Sequence, residues 1–266
     1  MRLSGRWFCR LCLTAVAVLP CLPGEAAQSV LVELFTSEGC SSCPPADLLL
    51  QRLERGHFIP DVSIIALSEH VDYWNHLGWS DPFSSAQLTS RQQIYATKFR
   101  SQGAYTPQMV VDGVDEFVGS DVTRARRSIA QAAQRQKVEI TAELSTQSVS
   151  TPSLHVSAPS SPTAGDIFVA VVYDPEPSAV ARGENSGRHL THISVVKSLK
   201  RVGEVGRNKA FDARLPVPPE AQVTANLRNQ RLVVFVQEKG QGRVLGSVEV
   251  SARQSAGMVA RWSPQK

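Results

Sequence analysis

The chain has 266 residues, of which 42% are hydrophobic and 20% are charged, a composition typical of folded globular proteins and not of disordered chains. Its 28 basic and 24 acidic residues give a net charge of +4, which is too small to predict binding to nucleic acid. The length is sufficient for two domains.

The first 27 residues have the pattern of a secretory signal peptide. Three arginines precede the apolar run 11–19, and small residues close the segment at Ala26 and Ala27. The run is too short to span a membrane. We predict cleavage after one of these alanines, export to the periplasm or the exterior, and no membrane span in the mature protein; an uncleaved anchor is the alternative.

Cleavage would leave two cysteines, Cys40 and Cys43, where the chain is predicted to pass from a strand into a helix. Residues 30–35 are apolar, as in a short buried strand, and the two prolines after Cys43 suit the first turn of a helix that ends near Arg55. The positive end of a helix dipole favours a thiolate over a thiol.

Three interpretations of this Cys-x-x-Cys pattern compete. A structural disulfide closing a loop of about four residues would contribute only about 2 kcal/mol. A zinc site would need a second Cys/His pair, although copper(I) could be held by the two sulfurs with His70 or His76. A redox-active dithiol is the interpretation that we favour.

Residues 62–67 predict a second buried strand, parallel to the first because a helix connects the two. Both strands would end at one edge of the sheet, so the loop 68–83 should lie beside the cysteines. This loop contains His70 and Trp74 and predicts an aromatic lid, a docking surface for a partner or a histidine that assists thiolate formation.

Ser84 begins a capping-box pattern for the next predicted helix, which ends near residue 99. Asp112-Gly113 between apolar runs predicts a two-residue hairpin turn, and residues 119–121 open a last helix. Pro107 begins the first strand of that hairpin and is either an ordinary edge proline or a cis proline.

The pattern changes after residue 136 to short alternating runs separated by Pro, Gly, Ser and Asn, which predicts an antiparallel sandwich of about seven or eight strands. The longest loop, about 174–188, is predicted to be a solvated connection or a partner-binding segment. The predicted strands are 138–144, 154–158, 167–173, 193–199, 232–237 and 244–250.

The N-terminal half resembles the thioredoxin superfamily in Cys40-Ser41-Ser42-Cys43-Pro44, in Thr106-Pro107 and in the hairpin that leads to Gly119. This resemblance implies that Pro107 is cis and faces the dithiol, and that Glu33 is a buried proton acceptor. From residue 30 to about 250 the chain is similar to a group of exported bacterial thioredoxin-like proteins. This group is classified as a domain of unknown function. The similar runs are 33–47, 70–74, 105–113 and 183–188.

Thr106 and the segment Gly119-Ser120-Asp121 also resemble glutaredoxins, in which the matching helix start holds a carboxylate of glutathione. The resemblance implies that glutathione could be a thiol partner, although no resident cofactor is expected. With His70 and Trp74 of the preceding loop, these residues are the predicted substrate-binding set.

We therefore expect an α/β thioredoxin-like domain in residues 28–136, followed by an all-β sandwich domain in residues 137–266. The expected activity is that of an exported thiol–disulfide oxidoreductase acting on protein or small-molecule disulfides. The exposed Cys40 would attack, Cys43 would resolve the mixed disulfide, Pro107 would shape the substrate groove and Glu33 would move protons. A copper(I)-binding protein and a binding module with a vestigial dithiol are the alternatives.

Overall fold

The computed structural model describes residues 28–56, 58–145, 152–221 and 229–251, and these form thirteen strands and three α-helices. The predicted signal peptide lies outside the described residues. In chain order the elements are β1 (Gln28–Thr36), α1 (Pro44–Arg55), β2 (Val62–His70), a 3-10 helix (Asn75–Leu77), α2 (Ala86–Phe99), β3 (Gln108–Val111), β4 (Asp115–Val118), α3 (Val122–Ala133), β5 (Thr141–Ser145), β6 (Ser153–Ala158), β7 (Gly165–Tyr173), β8 (Ser178–Ala179), β9 (His189–Leu190), β10 (Val195–Val205), β11 (Phe211–Pro216), β12 (Gln230–Glu238) and β13 (Val244–Ser251).

One mixed sheet of eight strands joins the two halves of the chain, in the order β13-β12-β7-β10-β2-β1-β3-β4. The junction is between β10 and β2, which pair in parallel with Val195 opposite Ser68, and the Ser68 N–H donates to the Ser194 carbonyl at 2.8 Å. Two smaller sheets, β11-β6-β5 and β8-β9, complete the pairing.

The predicted fold class, an α/β thioredoxin-like domain followed by an all-β sandwich, is therefore wrong. The fold is mostly β, and the C-terminal strands continue the N-terminal sheet. The physical reason is that β2 would otherwise leave an open edge, and β10 covers that edge by pairing with it. The boundary at residues 136/137 stays a prediction.

Most predicted elements nevertheless lie where the sequence places them. The predicted strand 30–35 lies within β1, and the turn at Asp112-Gly113 joins β3 to β4 with φ of 49° and 65° at its two residues. The cap of α2 differs by one residue from the prediction, since it is the Ser85 side chain, and not that of Ser84, that accepts the Gln87 N–H.

The two faces of β1 carry different chemistry. Val30, Val32 and Leu34 pack with residues of α1 and α3 in one apolar core. On the other face Glu33 is fully buried beneath α2, where it accepts from Arg91 Nε at 2.7 Å and from the Tyr95 hydroxyl at 2.6 Å. Glu33 therefore lies on the opposite face of the sheet from α1, the helix that follows the two cysteines.

The C-terminal core lies between the end of the large sheet and the sheet β11-β6-β5. It is formed by alternate residues of β7, β12 and β13, such as Val169, Val234 and Val248, packed against Ala142 and Val156 of β5 and β6. The large sheet and the sheet β11-β6-β5 thus bury one face each against the other. The first of these is the sheet that also contains β1 and β2.

Candidate functional site

Cys40 and Cys43 form a disulfide at the start of α1, with their Cα atoms 5.4 Å apart. Cys43 caps the helix, and its N–H donates to the Cys40 carbonyl at 3.2 Å. Both cysteines are 0% exposed, whereas Ser41 and Ser42 between them are exposed. The prediction that Cys40 is the exposed cysteine is therefore wrong.

A hairpin from the C-terminal half binds the backbone beside the buried dithiol. This covering hairpin, residues 178–190, is held by the pairing of β8 with β9. Its Asn185 is fully buried, and the Nδ2 atom donates to the carbonyl oxygens of Glu38 at 2.8 Å and Cys40 at 2.9 Å. At the exposed tip, Glu184 Oε2 accepts from the Ser41 N–H at 3.1 Å. The hairpin thus binds the backbone of the Cys-x-x-Cys turn directly.

The covering hairpin also contacts the loop that follows β2, residues 71–83, which we call the aromatic loop. A Cβ added at Gly183, where φ is +77°, would lie 3.1 Å from the Cβ of Trp79. The Trp79 indole in turn donates to Glu38 Oε2 at 2.8 Å, and the Ser178 hydroxyl donates to the same carboxylate. Two segments therefore close over the residues that precede Cys40.

Five ionisable side chains are buried together beside the dithiol. This charge cluster consists of Glu38, Asp47, His70, Asp81 and His192. Asp81 Oδ2 accepts from His70 Nδ1 at 2.7 Å and from the Glu38 N–H at 2.9 Å. His192 Nε2 lies 3.3 Å from Glu38 Oε1, and its Nδ1 lies 3.9 Å from Asp47 Oδ2. Asp47 also accepts from the Thr36 hydroxyl at 2.9 Å.

The burial of the cluster shifts its protonation equilibria. Burial by itself lowers the pKa of His192, but the ion pairs with Glu38 and Asp47 outweigh burial and raise that pKa above its usual value. Burial raises the pKa of the Asp47 carboxyl, and the two histidines only partly offset this rise. Burial also opposes the charge of Glu38, yet the adjacent His192 and the hydrogen bonds from Ser178 and Trp79 lower its pKa overall.

Pro107 lies close to the first turn of α1, and the Thr106–Pro107 bond is cis, as the resemblance implies. Gly119 stands between the two elements: a Cβ added there would lie 3.1 Å from the Cβ atoms of both Pro107 and Ala46, and 2.7 Å from Leu34 Cδ1. The proline that immediately precedes β3 and the helix that follows the dithiol are therefore neighbours.

Replacing Gly119 with alanine should lower the free energy of unfolding by about 1–3 kcal/mol, because the new methyl group overpacks this junction. Denaturant unfolding of the protein measures the change. Gly103→Ala is the matched control, since nothing lies within 4 Å of the added Cβ among the described residues. Equal stability of the two variants would mean that Pro107 and α1 do not pack as closely as described.

Trp74 connects the predicted loop to the predicted strand. Its indole Nε1 donates to the Thr106 hydroxyl at 2.8 Å, and its Cβ would lie 3.0 Å from a Cβ added at Gly39, the residue before Cys40. Trp74 and Thr106, two of the predicted substrate-binding residues, therefore lie beside the turn that carries the dithiol.

Other predicted site residues lie elsewhere or are occupied. Glu33 is paired with Arg91 on the opposite face of the sheet, so the predicted proton acceptor faces away from α1. Asp121 is exposed and caps α3 by accepting from the Arg124 N–H at 2.9 Å, and the neighbouring Ser120 is exposed. His70 is fully buried against Asp81, which leaves it inaccessible to a substrate.

The copper(I) alternative relied on a histidine beside the sulfurs. His76 is exposed in the 3-10 helix. Within the described ranges, no group of three or more His, Cys, Asp or Glu side chains is arranged to hold a metal ion.

Among the residues that the structure describes, no helix combines the length and the apolar character needed to cross a bilayer.

Several residues that form the site have no predicted role from the sequence. Glu38 and Asp47 belong to the motif around the cysteines, and their signal was two acidic residues beside an otherwise small and apolar turn. Asn185 belongs to the loop for which partner recognition was one of two predictions. His192 lies near the predicted strand 193–199, and nothing in its local sequence distinguishes it.

Comparisons with known proteins place the chain among relatives. A family model described as "Protein of unknown function (DUF1223)" matches residues 31–237. A crystal structure of a protein from Agrobacterium tumefaciens is similar, with 26% sequence identity and a TM-score of 0.67, over 85% of this chain and 96% of that chain. No curated protein matches the sequence.

Proposed function

The chain belongs to the DUF1223 family, and we propose that it is an exported thiol–disulfide oxidoreductase that works through Cys40 and Cys43. The observation that carries this proposal is the polar setting of the disulfide, which is bracketed by the buried Glu38 and Asp47 and by His192 between them. A structural disulfide that closes such a short loop contributes only about 2 kcal/mol to stability. It does not require neighbouring charged side chains, whose burial is costly.

The arrangement around the dithiol supports the same chemistry. Cys43 caps α1, so its sulfur lies at the positive end of the helix dipole, where a thiolate is favoured. Pro107 is a neighbour of the first turn of α1, since Gly119 lies between Pro107 and Ala46.

The proposed cycle balances as follows. In the reduced protein the Cys40 thiolate attacks one sulfur of a substrate disulfide, and the other substrate sulfur leaves as a thiol after taking up a proton. The Cys43 thiolate then attacks Cys40 Sγ, which releases the second substrate thiol and forms the Cys40–Cys43 disulfide. Two electrons pass to the substrate, and two thiols of the glutathione class then return the protein to its reduced form while they are oxidised to one disulfide.

The burial of both cysteines favours small disulfides over folded proteins as substrates, because a small molecule needs a smaller opening of the covering hairpin. Cys40 and Cys43 are 0% exposed, so the sulfur atom of any partner reaches them only after the hairpin moves. Exported proteins with exposed disulfides remain substrates for the form in which the hairpin has opened.

Turnover assays on the mature protein test the proposal. With dithiothreitol or glutathione as reductant, the protein should accelerate reduction of bis(2-hydroxyethyl) disulfide more than it accelerates reduction of insulin. Rates equal to those without protein for both substrates would contradict the proposal. That result would leave a binding module with a vestigial dithiol as the interpretation.

A further inference from the structure

His192 lies between residues that precede and follow the two cysteines, although it is distant from both cysteines in sequence. Its ring lies between Glu38, two residues before Cys40, and Asp47, four residues after Cys43. It is 3% exposed, and neither of its ring nitrogens makes a well-aligned hydrogen bond to any described residue. A buried imidazole without directed partners is expensive unless charge balances it.

The surroundings of His192 supply that balance. From the turn after β1 and from α1 come the carboxylates of Glu38 and Asp47, and from the aromatic loop comes that of Asp81. The neighbouring histidine on β2, His70, packs edge to face with a ring-centroid separation of 4.7 Å and is itself paired with Asp81. Three carboxylates thus face two imidazoles, which favours a proton on His192.

We propose that His192 is a positioning residue of the dithiol, which holds a positive charge between Glu38 and Asp47 and thereby stabilises the thiolate formed when the disulfide is reduced. This inference rests on the proposed function and adds a residue from the C-terminal half to its machinery. A cation stabilises a nearby anion, so it favours the reduced form and makes the couple more oxidising. By linkage, the thiolate must favour the proton on His192 to the same extent.

A variant tests this directly. His192→Gln removes the charge, so the equilibrium of the mature protein with glutathione buffers should shift about tenfold toward the disulfide, which is a midpoint potential more negative by about 30 mV. The apparent pKa of the more acidic thiol, followed by thiolate absorbance, should rise by about one unit. An unchanged potential and an unchanged thiol pKa in this variant would overturn the inference.

A matched control exists on the sheet β11-β6-β5. His155 pairs with Asp212 at 3.0 Å on the surface, so His155→Gln also removes a histidine from a carboxylate. We expect this variant to keep the wild-type potential. A shift equal to that of His192→Gln would show a general effect of charge and would contradict the specific role.

A second measurement avoids the risk that His192→Gln fails to fold. An NMR titration of the His192 ring in the wild-type protein should give a higher pKa in the reduced state than in the oxidised state. Equal values in both states would overturn the inference whether or not the protein turns over disulfides. Absence of turnover beside a redox-dependent pKa would instead contradict the proposed function alone.

Discussion

Replacing Cys40 with serine is expected to reduce disulfide turnover to the rate measured without protein. A serine hydroxyl does not form the mixed disulfide, so the cycle has no first step. Cys43→Ser should behave differently, because Cys40 still attacks but no second sulfur resolves the product. The expected result is a mixed disulfide with the substrate, which mass spectrometry of the intact protein detects.

Both cysteine variants should remain folded, which makes the comparison interpretable. The bond closes a short loop and contributes only about 2 kcal/mol, so its loss leaves the cores of the large sheet intact. Wild-type turnover in both variants would contradict the proposed oxidoreductase activity. A mixed disulfide that accumulates in Cys40→Ser and not in Cys43→Ser would reverse the roles assigned to the two sulfurs.

Replacing Asn185 with leucine is expected to make the disulfide react with dithiothreitol about 5 to 140 times faster. The amide of Asn185 donates to the carbonyl oxygens of Cys40 and of Glu38, two residues before it, and leucine has a similar size but no donor. Leaving buried acceptors unpaired costs about 1–3 kcal/mol, and about 1.4 kcal/mol corresponds to a tenfold change in an equilibrium constant. If the dithiol reacts only after the covering hairpin opens, the rate rises with the open fraction.

The neighbouring Ser186 provides the control for this prediction. It is exposed, and its hydroxyl donates to the Ala181 carbonyl within the same hairpin at 3.1 Å. Ser186→Ala should therefore leave the reduction rate within about twofold of wild type, as for most surface changes of up to about 0.5 kcal/mol. A reduction rate that Asn185→Leu does not change would show that reductants reach the sulfurs by a route that does not involve the hairpin.

The sequence predicted most strands because alternating apolar residues report which face of a strand is buried. The predicted runs 167–173 and 232–237 lie within β7 and β12. The same pattern carries no information on which strand lies beside another. The pairing of Val195 with Ser68, which joins the two halves into one sheet, was therefore beyond prediction, and the fold class was wrong.

The local part of the site was predictable, and the distant part was not. Cys43 and Pro107 were identified from a short motif and from a strand start, and Pro107 lies close to Ala46 in the first turn of the helix that Cys43 precedes. The burial of Cys40 was missed because its cover, Asn185, is 145 residues away in sequence. That Glu33 faces away from α1 was predictable, since neighbouring residues of a strand face opposite sides and Leu34 faces α1.

The reduction potential of the Cys40–Cys43 couple tests the central claim most directly. Equilibration of the mature protein with thiol–disulfide buffers, followed by quenching and alkylation of free thiols, gives the midpoint. A working couple predicts a value between about −120 and −270 mV, within the span of known thiol oxidoreductases. A midpoint below about −300 mV would contradict it, because structural bonds lie there.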